Sequence, residues 1–295
     1  MNILVTGSDG QLGSEIKDLE FNYSNFTFFF MDLPMLDICN NDKLNKIVKE
    51  NNINTVINCA AYTAVDESEK NSDTAAKVNT DGVLNLIKVM EKVNGKLIHI
   101  STDYVFDGNG FLPYQELDQV NPIGVYGITK RNGELAVINS DIDAIVIRTS
   151  WLYSAYGNNF VKTMLKHGKV RDEIGVVFDQ VGTPTNASDL AKVCLDILCG
   201  KSSANISKKG KIYHYSNEGV ASWYDFAIAI FELANIDCKV NPIQTKDFSS
   251  IAKRPHYSVL NKTKIKDDFG ITISNWRYSL EKSIDKLNSN QNKNL

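Results

Sequence analysis

Apolar residues fall into two alternating patterns along the first half of the chain. Short continuous runs, the signature of strands buried on both faces, are separated by stretches in which apolar positions recur at helical spacing. Asn2-Ile3-Leu4-Val5-Thr6 is the first run, and Leu12, Ile16 and Leu19 form the first helical stripe. Phe26 to Met31 predicts a second strand, with Leu44, Ile47 and Val48 on the helix after it. Thr55 to Cys59 predicts a third strand, followed by a helix from about Asp73 to Val93 with Ala76, Asn79, Val83, Leu86, Ile87 and Met90 on one side. Lys96 to Ser101 and Ala144 to Arg148 predict the fourth and fifth strands, on either side of an amphipathic helix that begins near Tyr126. Strands alternating with helices predict an α/β fold: a Rossmann-type doubly wound parallel sheet with right-handed crossovers and ligands at the carboxyl ends of its strands.

Beyond residue 150 the alternation loosens. Val176 to Phe178 and Ile212 to Tyr215 read as short strands, and Gly157 to Phe160 starts another helix. Trp223, Phe226, Ala227, Ile230, Phe231 and Ala234 form an apolar helical stripe that reads as core. The expected organisation is a dinucleotide-binding domain over residues 1–150 and a smaller α/β substrate-binding region over 151–295, with some segments returning to the first. The polar tail after Lys286 lacks apolar periodicity and is expected to fray, and Lys208, Lys209 and Lys211 read as a solvated turn around Gly210.

The first strand runs straight into Gly7-Ser-Asp-Gly10-Gln-Leu-Gly13. A strand, a glycine-rich turn and a helix in that order form the dinucleotide-binding pattern, here with GxxGxxG spacing. Gly7 permits the tight turn, Gly10 lets a pyrophosphate approach, and Gly13 lets the helix pack close to the strand. Asp9, Gln11 and Leu12 stand in the same turn, where free N–H groups and the positive end of the helix dipole meet phosphate. Asp32 ends the second strand, placed for the adenosine ribose hydroxyls. Asp37, with Ile38, is a second cofactor candidate or else a helix cap. Ala60, Ala61 and Thr63, just past the third strand, are suited to lining the cofactor groove. No basic residue follows Asp32 in Leu33-Pro34-Met35-Leu36, so NADH is expected to be favoured over NADPH.

Composition narrows the class. Of 295 residues, 43% are hydrophobic and 23% charged, and the formal net charge is −3, which fits a globular chain whose main partner is not nucleic acid. No stretch is long and apolar enough for a membrane span, the start lacks the basic region of a signal peptide, and a cytoplasmic location is expected. Five irregularly spaced cysteines form neither a disulfide framework nor a metal-binding CxxC.

Candidate chemistry gathers at the later strand ends. Thr102, Asp103 and Tyr104 follow the fourth strand, and a long turn-rich loop runs from Val105 to Pro122. Tyr126 and Lys130 lie one helical turn apart on one face, where a fixed ammonium favours the phenolate and is expected to pull the tyrosine toward neutrality. A tyrosine so tuned can exchange a proton with a substrate oxygen. Trp151 and Tyr104, just past strand ends, are either sugar-facing aromatics or ordinary core. Asn79 reads as a structural hydrogen-bonder.

Thr102, Tyr126 and Lys130 resemble the catalytic set of the short-chain dehydrogenase/reductase superfamily in its extended branch. The phrases GSDGQLG, STDYVFDG, NPIGVYGITK, RTSWLY, GNNF and KRPHYSVL make nearly the whole chain resemble the dTDP-4-dehydrorhamnose reductase family. The resemblance implies reduction of the 4-keto group of dTDP-4-dehydro-L-rhamnose by NADH or NADPH, supplying dTDP-L-rhamnose for surface polysaccharide. It implies that Thr102 holds the keto oxygen, Tyr126 protonates it, and Lys130 grips the nicotinamide ribose. Asp103, Tyr104, Trp151, Asn159 and Arg254 then match sugar-nucleotide positions, Arg254 at the diphosphate.

Some members of the family are magnesium-linked dimers. Glu15 fits one such position and Asp189 stands near another, but the tail offers no third ligand, so no metal requirement is expected and a monomer or homodimer remains open. Two rivals differ in kind. A sugar-nucleotide dehydratase or epimerase of the same superfamily is one, although the carboxylate that dehydratases need after Thr-Asp is Tyr104 here. A non-catalytic regulatory subunit that only binds cofactor is the other.

Overall fold

The computed structural model describes residues 1–200 and 211–292. The first half is laid out as β1 (Asn2–Thr6), α1 (Gln11–Leu19), β2 (Thr27–Met31), α2 (Asn41–Glu50), β3 (Thr55–Asn58), the short α3 (Val65–Ser68) and α4 (Ser72–Ala76), α5 (Gly82–Lys92), β4 (Lys96–Thr102), α6 (Val125–Ile138) and β5 (Asp143–Thr149). It continues with β6 (Leu152–Tyr153), α7 (Phe160–Gly168), β7 (Glu173–Val177), β8 (Val181–Gly182), β9 (Thr185–Asn186), α8 (Ala187–Leu198) and β10 (Lys211–His214). The last elements are β11 (Ala221–Ser222), α9 (Trp223–Ala234), β12 (Lys239–Ile243), α10 (Thr263–Phe269) and α11 (Trp276–Asn292).

Six strands form one parallel sheet in the order β10-β5-β4-β3-β1-β2. The pleat sends successive side chains to opposite faces, and both faces are apolar. Ile3, Val5, Ile57, Ile98, Ile145 and Ile147 meet α1 and α8 on one side. Leu4, Val56, Leu97, Ala144 and Val146 meet α2, α5 and α6 on the other. The direction of strand addition reverses between β1 and β3, and the cleft at their carboxyl ends is where such sheets bind dinucleotides.

The helix expected from Asp73 to Val93 is interrupted. Lys77–Asp81 is a π-helical turn between α4 and α5, and it places the buried Asn79. That carboxamide accepts the Tyr62 N–H at 2.9 Å and donates to the Tyr62 carbonyl at 3.2 Å and to Thr129 Oγ1 at 3.1 Å. A side chain inserted in this way widens the helical turn to bind its neighbours.

Residues after β5 build a second core from α7, α9 and α11, with Phe226, Ile230, Trp276 and Leu280 at its centre. The short strand expected at Ile212 to Tyr215 is β10, an edge strand of the main sheet, with Lys211 at its start rather than in a solvated turn. Lys208 and Lys209 lie outside the described residues. The expected fraying after Lys286 is not seen as far as Asn292, because α11 carries on. Leu280, Ile284 and Leu287 bury one side of that helix, and their spacing continues the stripe begun at Trp276.

Candidate active site and cofactor cradle

The glycine turn is built to admit a phosphate. Gly7 takes φ of +62°, and a Cβ there would stand 2.7 Å from the Ala60 nitrogen. A Cβ on Gly13 would lie 2.5 Å from the Gly7 carbonyl oxygen and from Ser8 Cα, so α1 packs onto the turn itself rather than the strand. No side chain caps α1, which leaves the amides of Gln11, Leu12 and Gly13 as the uncommitted first turn of a helix. The residues present therefore fit a dinucleotide pyrophosphate.

Asp32 closes the cradle. Its carboxylate accepts the Asp9 N–H at 3.0 Å and the Leu33 N–H at 2.8 Å, tying the glycine turn to the end of β2. Ala60 and Ala61 are half-buried and Thr63 is exposed along the segment after β3. Asp37 does not cap α2. Asn40 does, accepting the Lys43 N–H, while Asp37 holds the Cys39 N–H in a local turn. Ile38 turns its side chain into the core against α5, and its carbonyl accepts from Asn85 Nδ2 of that helix at 3.1 Å.

At the end of β4, Thr102 donates to Asp103 Oδ1 at 3.0 Å and accepts the Tyr104 N–H at 3.1 Å. The Thr102 hydroxyl lies near the Tyr126 phenol and opposes the rise in its pKa. Helix α6 reaches this point because residue 127 is glycine: a Cβ there would stand 2.2 Å from the Tyr104 carbonyl oxygen. Tyr104 meets Tyr126 edge to face, centroids 5.5 Å apart. The helix is pinned to the sheet by Glu134, which accepts from Arg148 Nε and Nη2, both at 2.8 Å, in a fully buried pair.

Lys130 does not act on Tyr126 as its spacing suggests. Its ammonium turns beneath the helix and donates to the Ile100 carbonyl at 2.6 Å. Burial pulls Lys130 down to about 8. Burial likewise raises the Tyr126 phenol well above its ordinary range, with the Asp103 carboxylate adding to the rise. The one-turn spacing is real, but Lys130 is turned toward Ile100, and desolvation of the half-buried phenol is the larger influence on it.

Asp103 is buried, accepts from Thr102 and has Ser258 nearby, while its Oδ2 has no partner. Burial pushes it up to about 6. Ser258 is a site residue that the sequence reading missed, although it lies inside the phrase KRPHYSVL.

Trp151, at φ of 48°, stacks on Trp223 at 3.6 Å and stays half-buried, so it has both a core face and an accessible part. Arg254 donates to Asp66 Oδ2 at 3.1 Å and lies near the Tyr104 phenol, which burial pushes up to about 12 against the pull of the guanidinium. A cavity of about 430 Å³ lined by Phe178, Val181, Val220, Tyr224 and Pro242 adjoins this region, since the Ser258 N–H donates to the Val181 carbonyl.

Asn159 has another occupation. It caps α7 through Oδ1, and its Nδ2 donates to Gln11 Oε1 and to the Ser154 and Tyr156 carbonyls, leaving the carboxamide committed. Glu15 and Asp189, weighed as metal ligands, are engaged elsewhere: Glu15 by Ser154 and Lys286, Asp189 by Asn217 and Ser279. Among the described residues no group of three or more His, Cys, Asp or Glu is arranged to hold a metal ion. The described helices include none long and apolar enough to cross a membrane.

The family model described as the RmlD substrate binding domain matches residues 1–289. The chain is 42% identical over 286 residues to a dTDP-4-dehydrorhamnose reductase of Aggregatibacter actinomycetemcomitans, covering 95% of this chain and 97% of that one. A solved dTDP-4-dehydrorhamnose reductase from Clostridium acetobutylicum superposes with a TM-score of 0.90 at 44% identity, covering 98% of this chain and 100% of that one. Another, from Bacillus anthracis in complex with NADP, gives a TM-score of 0.90 at 38% identity, covering 97% and 99%.

Proposed function

Because the chain belongs to the dTDP-4-dehydrorhamnose reductase family, we propose that it reduces the 4-keto group of dTDP-4-dehydro-L-rhamnose to give dTDP-L-rhamnose for surface polysaccharide. The observation that carries the chemistry is the close approach of α6 to the end of β4 at Gly127, which brings Tyr126 against Tyr104 and beside Thr102. A carbonyl oxygen entering between Thr102 and Tyr126 accepts from Tyr126, and from Thr102 once its one proton turns away from Asp103. A reduced nicotinamide, when bound, supplies the hydride to C4. Tyr126, held protonated by burial, gives its proton to the oxygen and is left as a phenolate beside Thr102. Lys130, on the next turn of α6, holds the nicotinamide ribose. Asp103, with one free acceptor, takes a sugar hydroxyl, and Arg254 meets the diphosphate with its planar fork.

Dehydration is disfavoured by the same geometry. The residue after Asp103 is a half-buried tyrosine whose pKa desolvation pushes up to about 12, so it cannot serve as the acid and base of an elimination at neutral pH. The cytoplasm suits both the nucleotide-sugar substrate and a chain whose cysteines form no disulfide framework. Every proposed group comes from one chain, so either a monomer or a homodimer would be competent. The test is oxidation of NADH or NADPH with dTDP-4-dehydrorhamnose, set against UDP- and GDP-linked 4-keto sugars. Tyr126→Phe should lower kcat by about a hundredfold with little change in folding. Near-normal kcat in that variant removes Tyr126 from the role, and wild-type protein that binds cofactor without turnover favours a regulatory subunit.

A further inference from the structure

The segment that leads away from the cofactor-lining loop carries two carboxylates one helical turn apart, and each reaches a different part of the site. Glu69, which closes α3, accepts the Val125 N–H through Oε1 at 2.9 Å. Val125 opens α6, and Gly124 before it provides no side-chain cap, so the helix bearing Tyr126 is capped from another element. A Cβ on residue 124 would stand 2.7 Å from that same Oε1, and glycine keeps the approach open. Asp66 accepts the Ala252 N–H at 2.9 Å through Oδ1 and Arg254 Nη2 at 3.1 Å through Oδ2. Arg254 lies near Tyr104, and its Nε is buried without a partner.

We propose that Asp66 and Glu69 are positioning residues for the reduction: Glu69 sets Tyr126 through the N-terminus of α6, and Asp66 sets Arg254 against the anionic part of the sugar nucleotide. The inference rests on the reductase reading above. The two roles separate in the kinetics. A misplaced proton donor costs rate, because a small displacement of a reacting group is felt mainly in the chemical step. A slack arginine costs binding of the nucleotide. Braces that only hold the fold together would lower thermal stability and reduce both parameters together.

Glu69→Ala should lower kcat about tenfold with KM for the sugar nucleotide within about twofold, and Glu69→Gln, which keeps the acceptor oxygen, should recover most of the loss. Asp66→Ala should raise that KM about tenfold with kcat within about twofold, and should add nothing further in an Arg254→Met background. Calorimetric titration of dTDP into the same proteins, with circular dichroism to confirm folding, gives a readout independent of turnover. If the wild type does not turn over the sugar nucleotide, the reductase reading and the Glu69 half fall together. The Asp66 half then stands or falls on dTDP affinity, and an unchanged Kd in Asp66→Ala overturns it. With an active wild type, three results overturn the proposal: additive Asp66 and Arg254 effects, failure of Glu69→Gln to recover rate, or kcat and KM falling in step with the melting temperature.

Discussion

Lys130 carries a pKa brought down to about 8 by burial, while burial moves Tyr126 the other way. Below about pH 8 the ammonium is charged and can hold a ribose hydroxyl; above it, that hold weakens. The kcat/KM for cofactor, which reports free-enzyme ionisations, should therefore decline above about pH 8. The limb should persist in the residual activity of Tyr126→Phe, and its disappearance there would assign it to the tyrosine instead. Asp32 bears on the choice of cofactor. A 2′-phosphate about 4 Å from its carboxylate meets a repulsion of about 1 kcal/mol in water and about 4 at an effective dielectric of 20. The sequence around Asp32 shows no offsetting base, yet Lys43 in the first turn of α2 reaches back and donates to the Pro34 carbonyl at 3.3 Å. NADH should be preferred in kcat/KM by about fivefold, the lower end of that range, and Lys43→Ala should widen the gap. A preference for NADPH, or no change in Lys43→Ala, would show that neither group faces the ribose. Residue type and neighbourhood made Thr102, Tyr126 and Asp32 legible in the sequence. Ser258, Asp66 and Glu69 were not, because each acts on a segment far from it in the chain, and Lys43 was not, because only the fold of the loop after Asp32 brings it back to Pro34.

At the scale of elements, strand and helix signals are local, so β1 to β5 and α1, α2, α6 and α9 could be read from apolar periodicity. Departures came where a polar side chain bends an element to its own needs. Asn79 turns a predicted single helix into α4, a π turn and α5 by binding Tyr62 and Thr129. Asn159 and Asn40 take up capping duties that periodicity cannot assign. The placement of α6 depends on a second device, the buried Glu134–Arg148 pair, with both carboxylate oxygens engaged at 2.8 Å. Removing one partner strands a buried charge, so Glu134→Ala should destabilise the protein by about 3 kcal/mol or more. Replacing both partners with apolar residues should cost far less. Denaturant titration of the single and double variants measures both. A loss below about 1 kcal/mol in Glu134→Ala would show that water reaches the site.

Across the whole molecule, the sheet and its two apolar faces were legible because each strand announces itself. The return of α8 and β10 to that sheet was only hinted at, since nothing near residue 211 says which edge it joins. The same holds for contacts between the two cores. Gln11, in the first turn of α1, accepts from Asn159, and Glu15, on its buried side, accepts from Ser154 Oγ at 2.6 Å and from Lys286 Nζ at 2.6 Å. Lys286 also donates to Asp18 Oδ2 at 2.7 Å, so one ammonium of α11 answers two carboxylates of α1. A ribosome makes Glu15 long before it makes Lys286. Throughout that interval the phosphate-binding helix cannot seat its carboxylate without burying an uncompensated charge. A copy cut short before α11 would carry the glycine turn in full yet leave Glu15 and Asp18 without the ammonium that answers them both.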